Sequence, residues 1–115
     1  MLAIKSVATT RTGPPSVVFD EIDMGIGGRV AERVGERLKR LAAAHQVFCV
    51  THQPQIARFA DAHFRVVKRV TGGRARVAVT KLDHRGRVEE LARMMAGARV
   101  TDVSRRHARE LLEAR

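Results

Sequence analysis

The sequence predicts an α/β fold built on a parallel sheet with flanking helices. Three features predict it. Short apolar runs rich in β-branched residues, at 16–19 and 47–50, have the length of buried strands. Between them, residues 29–44 carry apolar side chains at helical spacing, which suits a crossover helix. Further on, two strand-like runs flank Gly72-Gly73 and are followed by two more helical stretches. Strands that alternate with crossover helices favour a parallel sheet, whose chemistry sits at the carboxyl ends of its strands.

Taken in order, residues 1–8 are expected to be helical, with Leu2, Ala3 and Ile4 apolar, and a loop containing Gly13-Pro14-Pro15 ends them. The strand at 16–19 runs directly into Asp20-Glu21-Ile22-Asp23 and then into Gly25-Ile26-Gly27-Gly28. Val30, Val34, Leu38 and Leu41 mark the inner face of the next helix. Gly35 inside it costs about 1 kcal/mol relative to Ala, which points to close packing at that position. The strand at 47–50 ends at Thr51-His52, and Pro54 suits the first turn of a short helix reaching about residue 60. Strands at 64–70 and 76–82 form the hairpin. A helix over 87–95 presents Val88, Leu91, Ala92 and Met95 on one face, with Glu89 and Glu90 in its first turn and Gly97 closing it. Thr101 or Asp102 caps a last helix through 112, with Val103, His107, Ala108 and Leu111 turned inward. Neither a repeat nor a linker divides the chain, so residues 1–115 are expected to form one unit.

Lys and Arg number 22 against 12 Asp and Glu, a formal net charge of +10. That balance favours a polyanionic partner such as nucleic acid, although the arginines are scattered along the chain. With four Phe and no Trp or Tyr, the composition argues against platforms for base stacking. No apolar run approaches the roughly 20 residues of a membrane span. A single cysteine, Cys49, rules out an internal disulfide. Its place within an apolar run predicts a small buried strand residue, and a reducing, cytoplasmic setting fits.

Two constellations carry chemistry. The first is a hydrophobic strand that ends in adjacent acids, Asp20 and Glu21. Carboxylates at a buried strand end need a partner, and a hard cation is an obvious one. Asp20 can hold Mg²⁺ while Glu21, pointing the other way, polarises a water beside a terminal phosphate, which is the Walker B arrangement. The same residues equally suit an acidic cap or surface turn. The second constellation is the strand ending in His52, 31 positions after Glu21, with one crossover helix between. Neighbouring strands would bring Glu21 and His52 to one edge of the sheet. Gly25, Gly27 and Gly28 let backbone N–H groups approach a phosphate, or simply make a tight turn. No G-x-x-x-x-G-K-[ST] occurs, so the main phosphate cradle is missing. His45, His63, His84 and His107 lack metal-ligand spacing and are expected to be structural or solvated.

The segments from Asp20 through Gly28 and from Gln46 through Ala57 together resemble the C-terminal part of the RecN family, bacterial DNA-repair ATPases related to SMC proteins and to ABC ATPases. The resemblance continues through Ala60–Val66, Arg87–Met95 and Ser104–Leu112. It implies a partial P-loop NTPase head of the ABC/SMC type that lacks the Walker A strand and acts in double-strand break repair and recombination. By that resemblance Asp20 is the Walker B metal acid, Glu21 the catalytic glutamate and His52 the switch histidine. Residues 23–28 stand in the place of the D-loop, with Gly27 where most ABC proteins carry Asp. The implied cofactors are ATP and Mg²⁺. The implied partners are DNA through the intact protein, and a second ATPase head or a separate N-terminal polypeptide, with no membrane and a place at the nucleoid. Residues 1–6 resemble the helix after the family's signature motif. Walker A, the signature and the coiled coil are absent, so the chain is expected to be a fragment that binds Mg-ATP poorly and does not hydrolyse it alone. The strand at 47–50 is expected to have a bare edge and one exposed apolar face. Two other readings compete: a small basic nucleic-acid-binding protein without catalysis, and a head fragment of another SMC or ABC ATPase.

Overall fold

The computed structural model describes residues 2–6, 16–20 and 27–114. Its elements are β1 (Leu2–Ser6), β2 (Val17–Asp20), α1 (Gly28–Leu41), β3 (Val47–Val50), α2 (Pro54–Ala57), β4 (Ala62–Thr71), β5 (Arg74–Lys81), α3 (His84–Ala96) and α4 (Asp102–Glu113). The strands form one sheet in the order β2-β3-β1-β4-β5. β2 and β3 are parallel, joined by α1 as the crossover, and β4 and β5 form an antiparallel hairpin. The α/β class, the parallel pair and the hairpin are those expected from sequence.

Residues 2–6 differ from expectation. They form a strand, and β1 pairs antiparallel with β3 on one side and with β4 on the other. Three consecutive apolar residues carry no helical period of their own, and ladder hydrogen bonds to two neighbours outweigh weak local propensity. The bare edge expected for β3 is therefore filled by this chain's own segment. What that edge would have lacked in backbone hydrogen bonds, β1 supplies on both of its sides.

Phe19 and Cys49 are register partners on one face of the parallel pair, and both join the core. There they meet Ala31, Val34 and Leu38 of α1, Ile56 and Ala57 of α2, and Val88, Leu91 and Ala92 of α3. Ala108 and Leu112 of α4 complete the cluster. Cys49 is buried, as its setting predicts. The pleat turns Val18 to the opposite face, where it is 66% exposed while Phe48 and Val50 are half-buried. The face of β3 expected to be exposed is therefore only half-buried, and the exposed apolar residue on that side is Val18 of β2.

Gly35 is buried where α1 crosses α2. A Cβ built there would lie 2.4 Å from Cδ2 of Phe59 and 3.1 Å from the Gln55 carbonyl oxygen. Arg58 locks the same contact from outside: it donates to Glu32 at 2.9 Å and stacks over the Phe59 ring, 4.6 Å from its centroid.

α3 buries the expected Val88, Leu91 and Ala92 and ends at Gly97, and α4 is capped by Thr101 as expected, but α3 begins earlier and α4 is turned partly away from the expected face. α3 starts at His84 because the Asp83 side chain accepts from the Gly86 N–H at 2.7 Å, so Glu89 and Glu90 lie beyond the first turn. α4 is capped by Thr101 in a reciprocal capping box with Ser104. Its inner face is Ala108, Leu111 and Leu112, whereas Val103 is 71% exposed and His107 is exposed. Packing against α3 sets that phase; Arg105 bridges the two helices by pairing with Glu89 of α3 and Asp102 of α4.

Candidate functional site

Asp20 ends β2 and is the register partner of Val50, the last residue of β3. Because the strands are parallel, both carboxyl ends open on one rim of the sheet. His52 lies two residues past Val50, so the second constellation reaches the same rim as the first. Asp20 and His52 are both exposed.

Local sequence explains how His52 is presented. Thr51 is buried, and its hydroxyl accepts from the Gln53 N–H at 3.0 Å. That bond bends the chain sharply as it leaves the sheet. Pro54 then starts α2 at once, needing no N–H of its own. The histidine is held on the outside of this bend, between a buried strand end and a short helix.

Across the rim, Gly27 precedes α1 and its carbonyl accepts the first helical bond from Ala31, at 2.9 Å. Gly27 has φ −81, and a Cβ added at Gly27 or Gly28 would meet nothing within 4 Å. Neither glycine is demanded by backbone conformation or by crowding. Among the described residues, nothing crowds the amino end of this 14-residue helix. Glu21 and Gly25, the other residues singled out from sequence, lie outside the described residues.

A second polar cluster was not recognised in the sequence. His63, Arg87 and Glu90 are buried between β4 and α3. Arg87 donates to the Ala60 carbonyl at 2.7 Å, and Glu90 pairs with Arg93 and, at 3.5 Å, with Arg65. Burial chiefly, with the Arg87 charge adding to it and Glu90 opposing, lowers the His63 pKa from 6.5 to about 4. His63 is therefore a neutral core histidine and Glu90 a compensated buried charge. Charged residues at interior positions leave no mark in a hydropathy pattern, so only the register of β4 against α3 could have exposed this cluster.

No family model matches the chain. Curated relatives do. The chain is 42% identical over 113 residues to the DNA repair protein RecN of Bacillus subtilis, covering 98% of the chain and 20% of the relative. It is 47% identical over 112 residues to RecN of Rickettsia felis. Against RecN of Mycobacterium leprae it is 48% identical over 114 residues, covering 99% of the chain and 19% of that protein.

The chain is a RecN-like segment. It spans about a fifth of the length of the relatives it matches. A solved SMC ATPase, from work on ATP-driven dimerization and DNA-stimulated activation of SMC ATPases, shares its fold. That likeness has a TM-score of 0.57 at 18% identity and covers 76% of this chain and 52% of the other. The RecN-like segment thus has a partial SMC-type head fold.

The residues at the rim can be compared with what a magnesium nucleotide needs. Mg²⁺ is commonly bound by one or two carboxylates together with substrate phosphates and waters. Asp20, exposed at a strand end, suits that role. No group of three or more His, Cys, Asp or Glu side chains gathers as a metal cage among the described residues. Among the described residues, a lone carboxylate with open solvent beside it suits a Mg²⁺ ion that arrives with its phosphates.

Proposed function

We propose that this chain supplies the Mg²⁺-binding and water-activating residues of a RecN-like ATPase that acts on DNA in double-strand break repair and recombination. Asp20 takes the metal, directly or through water. Glu21 orients and polarises the attacking water. His52 donates to the terminal phosphate, and the open amino end of α1, with Gly25, Gly27 and Gly28 before it, leaves room for backbone N–H groups to approach the nucleotide. ATP with Mg²⁺ supplies the phosphoryl group, and the step is its transfer to water. Residues 1–115 act as one portion of a head. The remaining phosphate contacts come from a Walker A segment elsewhere in the intact protein or on a partner polypeptide, and a second head is the natural dimer partner.

The observation that carries this reading is the register of Asp20 with Val50, two residues before His52, on the rim formed by parallel strand ends. The relatives' name and the SMC-type fold add support. No helix among the described residues is long and apolar enough to cross a membrane.

A chimera tests it. This chain replaces the matching 113-residue segment of Bacillus subtilis RecN, and phosphate release is measured. Hydrolysis is expected, and Glu21→Gln is expected to lower it by about 10²-fold or more, as loss of a general base does. A chimera that hydrolyses equally well with Gln at position 21, or not at all with Glu, overturns the proposal.

A further inference from the structure

The arginines that look scattered in the sequence are sorted by the β4–β5 ribbon. Residues 62–81 hold six Lys and Arg and no Asp or Glu. Side chains alternate across a strand, and the pairing aligns Arg65 with Thr80, Val67 with Ala78, Arg69 with Arg76 and Thr71 with Arg74. One face of the ribbon therefore carries Arg65, Arg69, Arg74 and Arg76. The other face carries Val66, Val70, Val77 and Val79, with Lys68 and Lys81 as its only charges.

At the root, Arg65 is neutralised by Glu90. Farther out nothing comparable occurs: Arg69, Arg74 and Arg76 make no ion pair among the described residues. All three are exposed, as is the whole of β5. The ribbon stands away from the core, and the radius of gyration, 14.7 Å, exceeds the roughly 13 Å of a compact chain this long. Arg69 sits directly across from Arg76, with Arg74 two residues along the same strand. Like charges placed opposite each other in a ladder destabilise it. An arrangement that costs stability in the free chain becomes favourable once an anion bridges the three guanidinium groups.

We propose that this arginine face of the β4–β5 ribbon binds the phosphate backbone of double-stranded DNA. The partner is taken from the function proposed above; the surface is argued independently of nucleotide chemistry. Three points favour duplex DNA over other polyanions. A two-stranded ribbon matches the roughly 12 Å width of the major groove. The exposed outer ribbon has no aromatic residue on which single-stranded bases could stack. The tip is Gly72-Gly73, both at positive φ (58 and 78) in a two-residue turn, so no side chain obstructs approach of the end of the ribbon to the groove floor. By contrast, Arg33, Arg37 and Arg40 are exposed along α1 but interleaved with Glu32 and Glu36.

The experiment uses this chain without nucleotide and a fluorescently labelled 30-base-pair duplex, with binding read by anisotropy across a salt series. Replacing Arg69, Arg74 and Arg76 together by Gln is expected to weaken binding by about tenfold or more near 0.1 M salt. The slope of log affinity against log salt should fall by about 2.7, the value for three lost phosphate contacts. Replacing Arg33, Arg37 and Arg40 by Gln removes the same charge and is expected to leave most of the affinity. Circular dichroism and urea melts of both variants confirm that they fold. Equal losses in the two variants, or none in the ribbon variant, overturn the proposal. So does tighter binding of single-stranded DNA, RNA or polyglutamate than of the duplex. Binding is read here without nucleotide and hydrolysis is read in the chimera, so failure here and failure of the hydrolysis reading are separate results.

Discussion

Gly35 faces the edge of the Phe59 ring so closely that a single methyl group at position 35 would come within 2.4 Å of Cδ2. The backbone oxygen of Gln55 closes the other side at 3.1 Å. Gly35→Ala gains roughly 1 kcal/mol of helix propensity but overpacks a contact between α1 and the end of α2. A net loss of about 1–2 kcal/mol is expected from urea melts. In a Phe59→Leu background the same substitution should cost less, and additive losses would show that the ring is not the obstacle.

His63 makes stability depend on pH. Its folded pKa, about 4, lies below the ordinary 6.5, so protons bind the unfolded chain more readily. Stability is complete above pH 6.5 and falls as pH drops through the interval to about 4, by a loss on the order of 3 kcal/mol. Urea melts at pH 7, 5.5 and 4.5 measure it. His63→Gln should flatten the profile over this interval, and an unchanged slope would assign the effect to other groups.

Asp83 sets where α3 begins, through its bond to the Gly86 N–H. Asp83→Ala is expected to cost about 1 kcal/mol, and Asp83→Asn or Asp83→Ser far less, since each keeps a side-chain acceptor. A thermal melt of the three variants checks the ranking.

The isolated chain has an acid and a histidine on one rim but no Walker A loop in its sequence. Isothermal titration should therefore give a Mg-ATP dissociation constant of about 1 mM or weaker, a binding free energy no better than about −4 kcal/mol. Micromolar binding would mean that residues outside those singled out form a phosphate cradle of their own.

The parts of this fold that are legible in sequence are those decided locally. β3 is a short apolar run between a helix end and Pro54, and Gly72-Gly73 can hardly be anything but a tight hairpin turn. β1 was missed because its state is decided by residues more than forty positions away, at β3 and β4. The phase of α4 is legible only in part for a similar reason: Ala108 and Leu111 are buried as expected, but packing against α3 leaves Val103 and His107 exposed and buries Leu112 instead. At the rim, two strands joined by one helix made the nearness of Asp20 and His52 readable from spacing alone. The buried Arg87 and Glu90 were unreadable, because each is tolerated only through the other charges that fold around it.

The position of β1 has a consequence for how the sheet is built. Among the described residues the first strand is the middle strand of the sheet, and both of its neighbours, β3 and β4, lie more than forty positions further along. β1 can pair with β3 once residues through Val50 are made, and with β4 once residues through Arg65 follow. Both pairings close loops of more than forty residues, so the centre of this sheet is held by non-local contacts, the kind that slow folding.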